Sequence, residues 1–266
     1  MTGFVAAFPM YQRAELRPAF DALWRRTRDL LREQGVDAPQ ALTVLEDGLL
    51  PFWQRPDLLL SQTCGYPFRH FLKDRVALVG TPDFGLDGCA SGYYRSALIV
   101  RRNDLRKSLT DFAGATFASN DLHSQSGYAA PLVAAHRARV QFGQRRISGA
   151  HIASARMVAA GQADIAGIDA VSWRHMTMFD PWTQDLRVLS WTEPTPGLPF
   201  ITAMAPLAET INACLASAID AQPPEMRDLL TVKAIVRIAI ANYAEVADAP
   251  PDPNTCTAVD GVRKEG

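Results

Sequence analysis

The chain has 266 residues, 48% of them hydrophobic and 21% charged, and a formal net charge of −1. That suits one or two globular domains with a sizeable core. The 27 basic and 28 acidic residues are interspersed, and Arg25-Arg26, Arg101-Arg102 and Arg145-Arg146 are isolated pairs, so nucleic acid is excluded as an expected partner. No apolar run reaches the length of a bilayer span, so no membrane insertion is expected. Cys64, Cys89, Cys214 and Cys256 form no C-x-x-C pair, and neither a phosphate loop nor a dinucleotide fingerprint occurs. No metal and no cofactor are therefore expected.

Taken in chain order, residues 5–8 predict a buried strand. Residues 15–34 predict a helix, because Leu16, Ala19, Phe20, Leu23, Trp24, Leu30 and Leu31 share one face. Strands are expected at 42–45, 58–60 and 76–79, with short helices at 49–54 and 67–72. A strand at 94–100 leads into polar Arg101-Arg102-Asn103-Asp104. A second series follows: strand 112–118, helix 128–137, an extended stretch 140–147, helix 151–160, strand 163–168, a helix from Ala170 and strand 186–191. Pro194, Pro196 and Pro199 then forbid a helix. Residues 200–203 are extended, 209–220 and 225–246 are helical, and 249–266 reads as a disordered tail. Apolar strands alternating with amphipathic helices imply mostly parallel sheets flanked by helices. The economical arrangement is an α/β protein of two lobes, residues 1–97 with 200–248 and residues 98–199. Two crossings, near 96–101 and 189–200, would form a hinge beside a ligand cleft.

The stretch Asn120-Asp121-Leu122-His123-Ser124-Gln125-Ser126-Gly127-Tyr128 stands where a strand hands over to a helix. The first turn of a helix has unpaired N–H groups and partial positive charge, so it suits an anion. Ser124 or Ser126 could equally be a plain helix cap. Asp169, just after a strand, could accept a proton from a ligand or simply cap the helix that begins at Ala170. His151 is either a donor at a helix start or a surface residue. Tyr93 and Tyr94 alternate on a strand, so one faces the cleft, and Tyr94 is the expected one. Trp24 and Trp173 read as core. His70, His123, His136 and His175 read as surface or supporting groups.

Several segments together resemble the substrate-binding proteins of phosphate, phosphite and phosphonate ABC transporters, which have the type II periplasmic-binding fold. They are Gly92-Tyr93-Tyr94-Arg95-Ser96, Ser124-Gln125-Ser126-Gly127-Tyr128, Ser148-Gly149-Ala150-His151 and Gly161-Gln162-Ala163-Asp164-Ile165-Ala166-Gly167-Ile168-Asp169, with 57–62 fitting less sharply. The resemblance implies a solute-binding protein that captures a small phosphorus oxyanion by hinge closure and delivers it to a permease. It implies that Ser124, Gln125, Ser126 and the N–H groups of Ser126 and Gly127 wrap the oxyanion. Tyr94 and His151 would donate to it, Asp169 would accept its proton or bind a ligand ammonium, and Tyr11 and Gln62 would close from the first lobe. Gln125 stands where the family commonly has threonine, and a longer amide there is expected to reshape the pocket. A carboxylate beside many donors selects a protonated anion over sulfate.

The N-terminus lacks a basic segment followed by an apolar core, so as written the chain is expected in the cytoplasm, or in the periplasm if its true start lies upstream. Two other functions stay open. One is an enzyme on the same fold with Cys64 as nucleophile beside His70 or His151, or with His151 itself as the reactive group. The other is a cytoplasmic metabolite sensor that reports to a separate partner. A non-enzymatic monomer is the expectation.

Overall fold

The computed structural model describes residues 3–46 and 48–250. The first lobe opens with β1 (Val5–Ala7), α1 (Arg17–Glu33), α2 (Leu49–Trp53) and β2 (Leu58–Gln62). α3 (Gly65–Pro67) runs on into a π-helical turn at Phe68–Leu72, and β3 (Ala77–Asp83) follows. The chain then crosses through β4 (Tyr93–Tyr94) into the second lobe. That lobe holds β5 (Ser96–Arg101), β6 (Phe117–Ser119), α4 (Ala130–Arg137), β7 (Arg145–Ile147), α5 (His151–Ala159), β8 (Ile165–Asp169), α6 (Ala170–Phe179) and β9 (Leu186–Trp191). The return passes through β10 (Thr195–Pro196) to β11 (Phe200–Thr202), α7 (Ala208–Asp220), α8 (Pro224–Leu230), β12 (Ala234–Val236) and α9 (Ile240–Ala244).

Each lobe is built on its own five-stranded sheet, in the order β1-β2-β11-β3-β12 in the first and β7-β6-β8-β5-β9 in the second. In the first sheet, β2 packs Leu59 and Leu60 with Trp24 and Leu31 of α1 and Ile211 and Leu215 of α7. Leu58, on the other face, meets Phe52, Trp53, Phe68 and Tyr243. In the second sheet β5 divides its side chains strictly by alternation. Ala97 and Ile99 face Val158 and Ile168, while Leu98 and Val100 face Phe112 and Phe117. This is the period-two alternation of a strand buried on both faces.

The two-lobe α/β fold is as expected, but the sheets are mixed rather than mostly parallel. β1 and β2 are parallel, as are β7, β6 and β8. β11, β12, β5 and β9 pair antiparallel with their neighbours. β5 and β11, which arrive from the other lobe, run against the parallel strands of their sheets, as does β12 at the edge of the first. The first crossing also lies earlier than expected. β4 pairs with β10 as a separate antiparallel ribbon, Tyr94 opposite Thr195, and all of β5 belongs to the second sheet. Gly197 brings the two crossing segments together: its N–H donates to the Gly92 carbonyl at 2.8 Å, and a Cβ at 197 would stand 2.7 Å from that oxygen.

Three further elements differ. Residues 42–45 form no strand; Thr43 N–H donates to the Ala6 carbonyl, and no ladder continues from it. The expected strand over 112–118 shortens to β6, with a 3-10 turn at Leu109–Phe112 before it. The expected helix over 225–246 breaks at Thr231, whose φ of 55° is left-handed. Ala234–Val236 becomes an edge strand on β3 instead. Its β-branched residues suit a strand, and pairing with β3 outweighs continuation of the helix. The proposed disordered tail lies, from residue 251 onward, outside the described residues.

Candidate functional site

A cavity of about 900 Å³ lies between the lobes. Its second-lobe wall is made by the starts of three helical segments: Ser124 and Ser126, Ala150 and His151, and Asp169 and Ser172 all line it. Ser124 is a true cap, its Oγ accepting the Gly127 N–H at 3.0 Å. Asp169 is another, its Oδ1 accepting from Val171 at 2.8 Å and Ser172 at 3.0 Å. Ala150, at the N-cap of α5, has no side chain to offer, so the first N–H groups of that helix remain available to a ligand.

After Ser124 the chain makes a π-helical turn, Gln125–Ala129, before α4. Such turns are uncommon and cluster at functional sites. This one turns Ser126 inward and Gln125 outward. The Ser126 hydroxyl lies 3.0 Å from His151 Nε2. Gln125 points away from the cavity, and its Oε1 accepts from Arg69 Nη1 at 2.8 Å. The amide that replaces the family's threonine thus ties the two lobes together and leaves the pocket shape alone. Gln62 also misses the cavity: it is buried on β2 and donates to the Leu198 carbonyl at 3.1 Å. The Gly127 N–H is already taken by Ser124.

Tyr11 meets Asp169 across the cleft, its hydroxyl donating to Oδ2 at 3.1 Å. Its φ of 61° is strained for a tyrosine, a local cost accepted where a side chain must be aimed. Burial pushes the Asp169 carboxyl up to about 6, against the pull of Ser172, Tyr11 and Val171. Burial and the facing carboxylate hold the Tyr11 phenol well above its ordinary value, so it remains a donor. Burial also pushes the His151 imidazole down to about 4, so it is neutral at pH 7. Tyr94 is 1% exposed, beside Cys64 and Ser126, whereas Tyr93 faces outward and accepts from Asn242.

Three buried polar atoms around Ser126 and Gly127 make no hydrogen bond of ordinary geometry: the Tyr94 hydroxyl, close to Cys64 and Ser126, Asn120 Oδ1, and His151 Nδ1, on a ring beside the Gly167 backbone. Unpaired buried polar groups are costly, and a cluster of them marks where a polar ligand sits. Asn120 was not among the expected site residues. A Cβ on Gly127 would stand 1.7 Å from its Oδ1 and 3.1 Å from His151 Cε1, so the glycine is what lets both side chains close over the turn.

Among the described residues no unpaired cation lines the site. Arg13 lines the cavity but is paired with Asp180 at 2.7 Å and Glu15 at 3.3 Å. Arg69 is paired with Asp248 at 2.7 Å. The Arg13–Asp180, Tyr11–Asp169, Arg69–Gln125 and Arg174–Phe84 carbonyl bonds all join the two lobes, so the chain is in a closed state. Among the described residues no cluster of His, Cys, Asp or Glu could hold a metal ion, and no helix is long and apolar enough to cross a membrane.

Cys64 accepts the Gln125 N–H at 3.4 Å, and burial pushes its thiol up rather than down. Although Cys64 is only half-buried at the cavity wall, a thiol held protonated is a poor nucleophile. Alkylation of Cys64 by iodoacetamide at pH 7 is expected to run about tenfold or more slower in the folded than in the denatured chain. Equal rates in a timed mass-spectrometric assay would restore Cys64 as a nucleophile.

The family described as ABC transporter, phosphonate, periplasmic substrate-binding protein matches residues 59–245, well over half of the chain. Comparison with curated proteins gives no match. Among solved structures, PhnD1 from Prochlorococcus marinus in complex with methylphosphonate superposes with a TM-score of 0.72 at 17% identity, over 91% of this chain and 94% of that one. XAC2383 from Xanthomonas citri, bound to chloride ion, gives 0.69 at 17% identity over 91% and 94%. A binding-protein component of an ABC phosphonate transporter from Pseudomonas aeruginosa gives 0.63 at 16% identity over 88% and 80%. Neighbours this distant establish the type II periplasmic-binding fold, and the sequence match establishes the rest: the chain belongs to the family of periplasmic substrate-binding proteins of phosphonate ABC transporters.

Proposed function

We propose that the chain binds a phosphonate, or a phosphorus oxyanion of the same shape, at the convergence of the three helix starts. The observation that carries this reading is the set of buried polar atoms without an ordinary hydrogen bond, Tyr94 hydroxyl, Asn120 Oδ1 and His151 Nδ1, gathered around Ser126. The anion is held by dipoles rather than by a cation: the Ser126 and Tyr94 hydroxyls, the His151 imidazole and the uncapped start of α5. Asn120 contributes through its amide, whose rotation offers either oxygen or NH2. Ser124 and Gly127 shape the turn. Tyr11 acts by holding the Asp169 carboxylate, which accepts the proton of a monoprotonated ligand and repels one with no proton to give. Gln62 and Gln125 support the reading only as structural residues.

The ribbon of β4 and β10 is the proposed hinge, with β5 to β9 moving as one unit and β1 to β3 with β11 to α9 as the other. The loaded closed form is the one a membrane permease would recognise. A periplasmic monomer without enzymatic activity and without affinity for nucleic acid fits the near-neutral charge and a Cys64 thiol pushed up toward its protonated form.

A thermal-shift panel at constant ionic strength tests the reading with phosphate, phosphite, methylphosphonate, 2-aminoethylphosphonate, sulfate and acetate. A phosphorus ligand at 100 times its Kd adds about 2.7 kcal/mol of stability, an upward shift of several degrees, and sulfate adds none. A flat response to every phosphorus compound would contradict it.

A further inference from the structure

The oxyanion end uses little of the cavity. At about 900 Å³ the space is in the range that holds drug-sized ligands, and a bare methylphosphonate would leave most of it unfilled. Beyond the helix starts the walls turn apolar, with Met10, Leu50, Pro51, Phe71, Ile152 and Met176. The charged residues that share this part of the wall are already engaged. Arg13 is held by Asp180 and Glu15, and Asp121 accepts the His123 N–H at 2.6 Å. A charged substituent would find no buried, unpaired partner there: Asp121, 59% exposed, keeps its charge at the rim, where ion pairs contribute little.

One face of α6 runs along this chamber. Asp169, Ser172, His175 and Met176 all line the cavity, spaced as successive turns of one helical stripe. His175 lies six residues past Asp169, about 9 Å along the helix axis. It is 2% exposed, and neither ring nitrogen makes a hydrogen bond of ordinary geometry; the Leu229 backbone lies beside one of them and leaves the other for a ligand. Its ring sits 6.1 Å from that of Tyr11, and burial with Arg13 and Arg174 nearby pushes it down to about 4, so it is neutral and both donates and accepts. This buried histidine, with a ring nitrogen left over, is a polar group that the oxyanion reading leaves unused.

We propose that the natural ligand is a monosubstituted phosphonate with an uncharged, largely apolar substituent that runs along α6 and carries a neutral hydrogen-bonding group to His175. This rests on the oxyanion site proposed above. A methyl or aminoethyl group is too short to reach His175, and the apolar walls provide the affinity.

Isothermal titration with methyl-, propyl-, hexyl- and 6-hydroxyhexylphosphonate tests it. Each buried methylene is worth ~0.8 kcal/mol, about fourfold in Kd, so after the cost of ordering the chain hexylphosphonate is expected to bind about 30-fold or more tighter than methylphosphonate. The terminal hydroxyl should tighten binding further, and His175→Leu should remove that gain while leaving hexylphosphonate unchanged. Leu50→Trp, which fills the chamber, should weaken hexylphosphonate about 30-fold and leave methylphosphonate within threefold. Methylphosphonate binding by the same variant shows that it is folded. Affinity that falls with chain length while methylphosphonate still binds would overturn this inference and leave the oxyanion site standing. No binding of any phosphonate would overturn the oxyanion site, and this inference with it.

Discussion

Asp169→Asn is expected to make the empty protein more stable at pH 8 and to weaken its hold on a monoprotonated phosphonate about tenfold or more. The carboxyl is raised from its ordinary 3.8 to about 6 by burial. A raised carboxyl binds its proton more tightly in the folded state than in the unfolded chain, so the ionised form costs stability at neutral pH. Two pKa units correspond to ~3 kcal/mol, and the gain in the asparagine variant is expected to be about 1–3 kcal/mol. The sign of the pH dependence follows. The gain is full above pH 6, shrinks as pH falls through 6 and is gone below about 4, where the native carboxyl is protonated in both states. Asparagine caps a helix as well as aspartate does, so α6 keeps its start. Ligand binding moves the other way, because the variant loses the acceptor for the phosphonate proton and also its means of rejecting sulfate. Chemical denaturation between pH 4 and 8 checks the first part and titration calorimetry the second. An equal stability difference at both ends of that range, or unchanged affinity, would contradict the role given to Asp169.

Gly127→Ala is expected to abolish phosphonate binding, by about 100-fold or more, at a smaller cost in stability. The added Cβ would fall 1.7 Å from Asn120 Oδ1 and 2.8 Å from its Cγ, and would crowd His151. Two of the three polar groups gathered around Ser126 must therefore move out of the site. Overpacking of this kind costs about 1–3 kcal/mol, well within what a domain of this size tolerates. The prediction separates the site from the fold: thermal unfolding of the empty variant remains cooperative while calorimetry shows no binding. Wild-type affinity in the variant would mean that Asn120 and His151 do not touch the ligand.

Much of this was legible in the chain. The strand-to-helix handover at Ser124 to Gly127, the strand ending at Asp169 and the helix opening at His151 follow from periodicity and from where polar residues interrupt apolar runs. Those three places form the second-lobe wall of the cavity. Tyr94 rather than Tyr93 could be chosen in part, because only one of two adjacent strand residues faces inward. What periodicity does not reveal is which polar group of a cluster turns inside. Gln125 and Ser126 are neighbours, and the π-helical turn, set by backbone bonding that no pattern announces, sends one to Arg69 and the other to His151. The family resemblance implies Gln62 as a ligand group, yet the carbonyl of Leu198, remote in sequence, claims its amide. Asn120 and the uncapped Ala150 carried signals that could have been used: an asparagine at the end of a strand beside a glycine turn, and a helix that starts with no residue able to cap it. β12 was illegible for a different reason. A short Ala-Ile-Val run fits a helix or a strand equally well, and its partner β3 lies about 150 residues earlier in the chain.

The most direct test of the central claim is a calorimetric titration of methylphosphonate into the wild-type protein and into Ser126→Ala at pH 7.5. The Ser126 hydroxyl, 3.0 Å from His151 Nε2, is proposed to donate to the anion, and losing a hydrogen bond to a charged ligand costs about 1–3 kcal/mol. The account predicts single-site binding to the wild type and a Kd roughly 5- to 150-fold weaker in the variant. No heat of binding to the wild type, or the same Kd in both proteins, would contradict it.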